Sequence, residues 1–260
     1  MRVMVNAPIP HLDMVDRFDQ HLVLVHLLEG KYLDFYKKQR EKGAYIVLDN
    51  GVVETGTPQV DEKKIELLRP QEVVAPDYLF DAKRTYVESR EFALWVKKRF
   101  PDIKVMCVPQ GETPREYIEC LDRFIRAPWC DVIGLGKAAS LALTPREIRP
   151  RYPSESFVLA GRHRALTYMV EEAGISVRGI GVSSRVTVPV PVHILGLCHP
   201  TELPVYNRFP QVRSVDTSWC FRVVQGEKVT DFHRKLSPTQ LEEVEKLLEY
   251  LEMKAKEVGR

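Results

Sequence analysis

Two aspartates, each at the end of a short apolar run, are the residues best suited to covalent chemistry on a sugar. Asp49 closes the run at residues 45–49, and Asp216 closes the run at residues 212–216. In glycosyl transfer through a covalent intermediate, one carboxylate attacks the sugar carbon and a second moves protons, so the two must differ in environment. We therefore interpret Asp216 and Asp49 as a candidate catalytic pair.

Polar side chains and glycines at the ends of other apolar runs could bind a planar base. A purine ring presents N–H groups and a carbonyl oxygen, which need acceptors and donors at one place. An Asp, a Gln and backbone amides supply that set. The candidate base-binding residues are Asp77, Gln110, Gly134, Leu135, Gly136 and Gly196.

Each of these candidates also has an ordinary structural interpretation. The run Asp49-Asn50-Gly51 is a common turn sequence, and Asp77 or Asp216 could cap a following helix. The functional interpretation therefore depends on whether the fold brings the candidates to one place.

Eight short apolar or β-branched runs alternate with helical patterns, which is typical of parallel βαβ units. The predicted strands are residues 3–6, 22–26, 45–49, 73–76, 105–109, 132–135, 193–196 and 212–216. Such units close into a (β/α)8 TIM barrel at about 250 residues, so we predict one α/β domain over residues 1–260. Catalytic groups of such barrels lie at the carboxyl ends of the strands, which would bring the candidates together.

Two longer helices are predicted from apolar periodicity. Residues 82–100 form a helical pattern that directs Val87, Leu94 and Trp95 toward the core. A closing helix begins at Ser237, and its apolar stripe is expected to pack on the barrel exterior. That stripe consists of Leu241, Val244, Leu248 and Leu251.

Two further helix starts are indicated by capping signals. Thr113-Pro114 and Thr144-Pro145 each place a capping hydroxyl before a proline, with a glutamate two residues after the proline. This arrangement satisfies the free N–H groups of a first helical turn. We therefore predict a helix after each threonine.

The interval between the sixth and seventh predicted strands is longer than one βα unit needs, so we predict an insertion at about residues 140–190. It is rich in arginine, which favours an electropositive surface for phosphate groups, although the same residues could form a solvated helix face. The candidate nucleic-acid contacts are Arg149, Arg151, Arg162 and Arg164, with Arg222 after the last strand.

Composition is that of an ordinary cytosolic protein. The net charge is +2, and the five cysteines lack the paired spacing of a disulfide framework or a zinc knuckle. No run has the length of a membrane span or of a signal sequence. We expect reduced thiols, no membrane association and a cytoplasmic location, which would be the host cytoplasm if the protein is viral.

At these motifs, the sequence resembles the tRNA-guanine transglycosylase superfamily over about residues 21–218. Leu48-Asp49-Asn50-Gly51 is similar to the family's Asp-Ser-Gly-Gly motif, and Val108-Pro109-Gln110-Gly111 is similar to its Val-Gln-Gly motif. Ile133-Gly134-Leu135-Gly136 resembles its Gly-Gly-Leu strand end, and Val215-Asp216-Thr217-Ser218 its nucleophile site. The run Ile194-Leu195-Gly196-Leu197 resembles the strand before that nucleophile.

The resemblance implies a role for each matched residue. Asp216 would be the nucleophile, Asp49 would transfer protons, and Asp77 and Gln110 would read the base edge with help from backbone amides. Asp81 competes with Asp77 for that role because Phe80-Asp81 also matches a family pair. We favour Asp77, which lies closer to the strand end.

The sequence departs from the family's tRNA enzymes at several points. Their zinc motif, Cys-x-Cys-x-x-Cys with a downstream His, is absent, and so is the Arg-rich run after the nucleophile. Val53 stands where the family often has an aromatic ring. We expect no cofactor; an alternative zinc site would have to combine Cys198, His199, Cys220 and His233, whose spacing matches no structural zinc pattern.

These departures favour the short, phage-type DNA 7-deazaguanine transglycosylases within the superfamily. The expected function is exchange of a guanine in DNA for a 7-deazaguanine base such as preQ0, through a covalent Asp–sugar intermediate. Three alternatives stay open: a zinc-free tRNA enzyme, a catalytically silent nucleic-acid-binding homologue, and an unrelated barrel enzyme that binds phosphate.

Overall fold

The computed structural model describes residues 1–150, 154–171 and 190–257. Eight parallel β-strands form its centre. They are β1 (Arg2–Val5), β2 (Gln20–Leu24), β3 (Tyr45–Asp49), β4 (Glu72–Val74), β5 (Lys104–Cys107), β6 (Val132–Leu135), β7 (Val192–Ile194) and β8 (Val212–Thr217).

The strand order is β1-β8-β7-β6-β5-β4-β3-β2. All seven pairs of hydrogen-bonded neighbouring strands are parallel. β1 also lies beside β2, which brings the two edges of the sheet together into a nearly closed barrel. The predicted α/β (β/α)8 fold is therefore confirmed, and every predicted strand overlaps an observed one.

Helices connect the strands and surround the barrel. The α-helices are α1 (Gly30–Glu41), α2 (Val52–Thr55), α3 (Glu62–Leu68), α4 (Ala82–Arg99), α5 (Pro114–Ile125), α6 (Ala138–Ala142), α7 (Glu155–Glu171), α8 (Leu203–Tyr206), α9 (Trp219–Gln225) and α10 (Pro238–Glu257). Short 3-10 helices occupy Ile9–Val15, Val25–Leu27, Arg146–Ile148 and Pro200–Glu202. No helix in the described part of the chain combines the length and apolarity needed to cross a bilayer.

Apolar side chains fill two separate layers because successive strand residues face opposite sides of the sheet. A small inner cluster fills the barrel and includes Met4, Val47 and Met106. A larger outer cluster lies between the strands and the helices and includes Val5 and Ile46. Along each strand, a residue that faces the barrel interior is followed by one that faces the helices. The alternation therefore determines which side chains lie at the barrel mouth.

The buried face of α4 differs from the predicted one. Val87 and Leu94 are 45% and 48% exposed, whereas Phe92 and Val96 are buried. Trp95 is partly buried against the outer core. The prediction for Val87 and Leu94 is therefore wrong, although the helix itself is confirmed.

The capping predictions have different outcomes at the two threonines. Thr113 begins α5 with a capping box, in which Glu116 bonds back to the Thr113 amide. After Thr144 only the 3-10 helix Arg146–Ile148 forms, so the predicted α-helix at that position is wrong. The hydroxyl of Thr144 instead donates to the Ser140 carbonyl, which removes it from a capping role.

The interval between β6 and β7 contains helices packed into the outer layer. Helices α6 and α7 contact each other closely at Gly161, where an added Cβ would lie 2.1 Å from Ser140 Cα. Residues 151–153 and 172–189 of the predicted insertion lie outside the described residues. The described part is thus a component of the helical layer.

The end of the barrel opposite the mouth is closed by charged and polar side chains. Glu72, at the start of β4, is fully buried and pairs with Arg213 of β8. The hydroxyl of Tyr45, at the start of β3, donates to Glu72 over 2.9 Å. A buried carboxylate is tolerated here because it has both a cation and a donor.

Candidate functional site

Asp216 lies at the carboxyl end of β8, and its carboxylate receives three hydrogen bonds. The Asn6 side-chain amide donates to Oδ2 over 3.1 Å, and the Gly196 backbone N–H donates to Oδ1 over 2.9 Å. His193 Nε2 lies 3.1 Å from the same Oδ1. The residue is only 5% exposed, so these donors fix the orientation of a carboxylate that has few water contacts.

Strand register explains why these residues meet. Met4 of β1 pairs with Asp216, which places Asn6 just beyond the paired region, and His193 of β7 pairs with Ser214. Residues two apart on a strand face the same side. Ser214 and Asp216 therefore both point into the barrel, where His193 meets them.

A second carboxylate, Asp77, lies beyond β4 within a network of amides. Asn50 Nδ2 donates to Oδ1 over 2.7 Å, and Gln110 Nε2 donates to Oδ2 over 2.6 Å. The backbone N–H of Phe80 donates to Gln110 Oε1 over 3.2 Å, which fixes the orientation of the amide. Each oxygen of Asp77 thus accepts from one side-chain amide.

Asp81 occupies a different environment from Asp77. Its carboxylate accepts the Arg84 backbone N–H over 2.9 Å and caps α4. Asp77, by contrast, is 2% exposed and bonded to Gln110. The structure therefore brings Asp77 and Gln110 together, and it places Asp81 at a helix start.

Asp49, at the end of β3, has surroundings that favour its protonated form. Loss of hydration raises the pKa of Asp49 well above its ordinary value, and the negative charge of Glu54 raises it further. Asp216 and Asp77 contribute in the same direction, so all three lie near the same mouth. The N–H of Gly51, 3.0 Å from Oδ2, opposes the rise.

Glu54 and Lys137 complete the charged groups at the mouth. Glu54 is exposed on α2, yet partial loss of hydration and the charge of Asp216 raise its pKa, while Lys137 lowers it. Lys137 follows β6, and its Cε lies 3.1 Å from the position that a Cβ on Gly196 would occupy. Gly196 has φ +69, so glycine is required there by conformation and by this close approach.

Burial also affects the pKa of Asp77, which is raised to about 6. The hydrogen bonds from Asn50 and Gln110 favour the ionised form and lower the pKa, but loss of hydration is the larger effect. Asp77 therefore changes charge near neutral pH.

Gly134 and Leu135, two of the candidate base-binding residues, lie in packed surroundings. A Cβ on Gly134 would lie 2.9 Å from both Leu195 Cδ1 and Met106 Sδ, so no open space adjoins this residue. The side chain of Leu135 is fully buried in the outer core, and its carbonyl accepts the Leu195 N–H. The contact of Gly134 with a base stays a prediction. Gly136, in contrast, is partly exposed at the strand end.

The candidate phosphate-binding arginines are tied to the protein itself. Arg162 is fully buried, so its assignment to an electropositive surface is wrong. The other described members, which keep some exposure, donate to backbone carbonyls: Arg149 to Thr144, Arg164 to Leu143 and Arg222 to Cys198. Arg151 lies outside the described residues.

Arg162 instead organises the loop beside Asp216. Its guanidinium donates to the Leu195 carbonyl and, over 3.1 Å, to the Gly196 carbonyl. It also lies 3.5 Å from Glu202 Oε2 and 3.4 Å from the Tyr206 hydroxyl. Because the Gly196 N–H donates to Asp216, this network supports one of the three donors of the carboxylate.

The four residues considered for zinc, all within the described part of the chain, are not grouped as metal ligands. Cys198 and Cys220 are buried, and burial raises the pKa of Cys220 to about 12. His199 Nδ1 accepts the Thr201 N–H at a 3-10 helix start. Within residues 1–150, 154–171 and 190–257, no group of three or more His, Cys, Asp or Glu side chains is arranged to hold a metal ion.

Sequence reasoning missed several residues that contact the candidate carboxylates. Asn6 was placed at the end of a predicted strand and His193 at the start of another, with no role assigned to either. The register that pairs His193 with Ser214 beside Asp216 is visible only in the structure, so the sequence carried no signal for His193. Lys137 and Glu54 lie on connections whose conformation the sequence does not specify.

Comparisons with known proteins give structural similarities but no family or curated relative. No protein-family model matches the chain, and no curated protein matches it. Among the solved structures that match is N-(5'-phosphoribosyl)anthranilate isomerase from Pyrococcus furiosus, with 16% identity over 99% of each chain and a TM-score of 0.47. The fold assignment rests on the strand topology described above.

Proposed function

We propose that this protein is a guanine transglycosylase, which exchanges a guanine in DNA for a 7-deazaguanine base through a covalent bond between Asp216 and the sugar. The observation that carries the proposal is the oriented carboxylate of Asp216 at the mouth of the barrel. Asp49 lies near enough for the charge of Asp216 to raise its pKa. A nucleophile and a proton donor at one site are what base exchange requires.

The first half of the reaction removes guanine. Asp216 Oδ2 attacks C1′ of the sugar, the bond between C1′ and the base nitrogen breaks, and its electron pair stays with the base. Asp49 supports this step because its raised pKa lets it hold a proton that the departing base needs. The products are the ester between Asp216 and the sugar, free guanine and ionised Asp49.

The second half installs the new base. Ionised Asp49 takes the proton from the ring nitrogen of the incoming 7-deazaguanine, and that nitrogen attacks C1′. The bond between C1′ and Oδ2 breaks, and its electron pair returns to Asp216. Both carboxyl groups are then restored, so the cycle needs no other reactant.

Asp77 and Gln110 are suited to hold the base during both steps. The ionised carboxylate of Asp77 can only accept hydrogen bonds, which suits it to the N–H groups on a guanine edge. The target base must leave its stack to reach such a buried pair. DNA is proposed as substrate because the chain lacks the zinc motif and Arg-rich run of the tRNA enzymes.

The test is transfer of labelled preQ0 into guanine-containing duplex DNA. We expect label incorporation by the wild-type protein and none by Asp216→Asn, whose amide is a far weaker nucleophile. Asp81→Asn is the matched control, because asparagine also caps helices and Asp81 lies outside the carboxylate cluster. Equal transfer by Asp216→Asn would overturn the assignment of the nucleophile.

Parallel reactions separate the competing functions. Incorporation into tRNA alone would replace DNA as the substrate and keep the chemistry. Binding of DNA without any covalent adduct would identify a silent homologue instead. Absence of both binding and transfer would favour an unrelated barrel enzyme.

A further inference from the structure

His193 is a fully buried residue that contacts the candidate nucleophile from inside the barrel. Its Nε2 lies 3.1 Å from Asp216 Oδ1, and its Nδ1 lies 2.8 Å from the Ser214 hydroxyl. Ser214 is itself 2% exposed and lies one inward position below Asp216 on β8. The three side chains form a continuous line that ends at the mouth.

The hydrogen-bond roles along this line follow from the chemistry of each group. An ionised carboxylate only accepts, so Nε2 must carry the proton that is directed at Asp216. In a neutral imidazole the other nitrogen then accepts, and the Ser214 hydroxyl is the donor within reach. The carboxylate of Asp216 thus sets the imidazole tautomer, and the Ser214 hydroxyl, which can donate or accept, donates to Nδ1 and holds the ring in place.

The two oxygens of Asp216 are unequal as a result. Oδ1 receives hydrogen bonds from His193 and from the Gly196 N–H, whereas Oδ2 receives only the Asn6 amide. Each hydrogen bond draws electron density from its acceptor. Oδ2 is thus the more available oxygen for attack.

We propose that Ser214 and His193 are positioning residues, a buried relay that fixes the orientation of Asp216 and selects Oδ2 as its attacking atom. This inference rests on the proposed function and adds to it the residues that hold the nucleophile. The relay acts through Asp216 and does not touch the substrate.

The relay accounts for both halves of base exchange. When Oδ2 bonds to C1′, Oδ1 becomes the carbonyl oxygen of the ester and keeps its donors. When the bond between C1′ and Oδ2 breaks, its electron pair returns to the carboxylate, and the same donors stabilise the restored charge. No proton leaves His193 in either half, so the bonds and charges balance.

The first experiment measures the His193 tautomer directly, by NMR of protein labelled with ¹⁵N-histidine. We expect the Nε2–H tautomer in the wild type. Ser214→Ala, which removes the donor to Nδ1, should keep that tautomer but move the Nδ1 resonance, because the resonance of an imidazole nitrogen depends on whether it accepts a hydrogen bond. Tyr45→Phe is a control that removes a hydroxyl hydrogen bond at the opposite end of the barrel, and it should leave the spectrum unchanged.

The second experiment measures the rate of covalent adduct formation with guanine-containing DNA in a single turnover. We expect His193→Leu to lower the rate about 100-fold, because one charge-stabilising donor is lost. His193→Gln, which retains an N–H near the Nε2 position, should restore most of that rate. Ser214→Ala should lower it about tenfold, and DNA affinity should be unchanged in all three.

The outcomes separate the relay from the proposed function. A folded His193→Leu protein with the wild-type adduct rate, an Nδ1–H tautomer in the wild type, or an unchanged Nδ1 resonance in Ser214→Ala overturns the relay. A wild-type protein that forms no adduct overturns the proposed function. In that case the NMR result alone decides whether His193 donates to Asp216 and accepts from Ser214.

Discussion

At the residue scale, the mouth of the barrel concentrates acidic groups that cannot all be ionised at low cost. Loss of hydration and neighbouring negative charge raise the pKa values of Asp49 and Glu54, and loss of hydration raises that of Asp77. The oxygens of Asp216 are contacted by three hydrogen-bonding groups. The carboxyl groups thus have different surroundings, which is the condition for dividing catalytic roles among them.

The charge of Asp77 should make base binding depend on pH. Its pKa is raised to about 6, chiefly by loss of hydration. The ionised carboxylate offers acceptors to a base edge, and protonation removes one of them. Affinity for free 7-deazaguanine should therefore be highest above pH 6 and fall about tenfold per pH unit below it, as measured by calorimetry between pH 5 and 7.5.

Two variants decide whether Asp77 causes this dependence. Asp77→Asn should bind weakly at every pH and lose the step near 6, because asparagine cannot ionise. Asp81→Asn should keep the wild-type profile, since the Asp81 carboxylate caps α4 and asparagine can do the same. A step that persists in Asp77→Asn would assign it to another group, such as Asp49.

The candidate carboxylates could be predicted from sequence because they occupy strand ends. Asp49, Asp77 and Asp216 each follow a strong apolar run, and parallel strands end at one face. His193 was harder to assign because it lies within a strand, where a histidine gives no signal of its own. Its role depends on register with β8, which one sequence does not reveal.

At the element scale, the strands were predictable and the orientation of α4 was not. Strand runs are short and apolar, whereas α4 buries Thr85 and Ser89 on the face toward the barrel. Ser89 donates to the Pro76 carbonyl over 2.8 Å, and Thr85 donates to the Tyr78 carbonyl over 3.2 Å. These bonds satisfy buried polar groups beside the site, so apolar periodicity alone gave the wrong face.

Arg162 connects α7 to the loop after β7. Arg162→Met leaves the buried carboxylate of Glu202 without its cation, and this should lower the free energy of unfolding by about 3–5 kcal/mol. Adding Glu202→Gln should recover part of the loss. Urea denaturation measures all three proteins.

A control on the same helix separates the buried network from the general effect of losing an arginine. Arg164→Met, two residues further along α7, removes an exposed residue whose guanidinium donates to the Leu143 carbonyl, so it should lower the free energy of unfolding by about 1 kcal/mol or less. An Arg162→Met protein no less stable than Arg164→Met would show that the buried network does not stabilise the fold.

At the scale of the whole molecule, stability and chemistry occupy different parts of the barrel. The candidate catalytic groups lie at the carboxyl ends of the strands, while Glu72, Tyr45 and Arg213 close the opposite end. Closure of the barrel depends on its first and last elements, because β1 pairs with β8. Helix α10 packs against both β1 and α9. Changes in α10 should therefore affect stability without altering the geometry at Asp216.

Leu248 provides the test of this separation. It is fully buried on α10, in the apolar stripe that was predicted from sequence, so Leu248→Ala should lower the free energy of unfolding by about 2–5 kcal/mol. Met253→Ala, on the same helix but 45% exposed before substitution, should change it by about 0.5 kcal/mol or less. Urea denaturation gives the stabilities, and the adduct rate per folded molecule should be unchanged in both variants. A Leu248→Ala protein that stays folded but forms adduct much more slowly would show that the outer helical layer controls the position of Asp216.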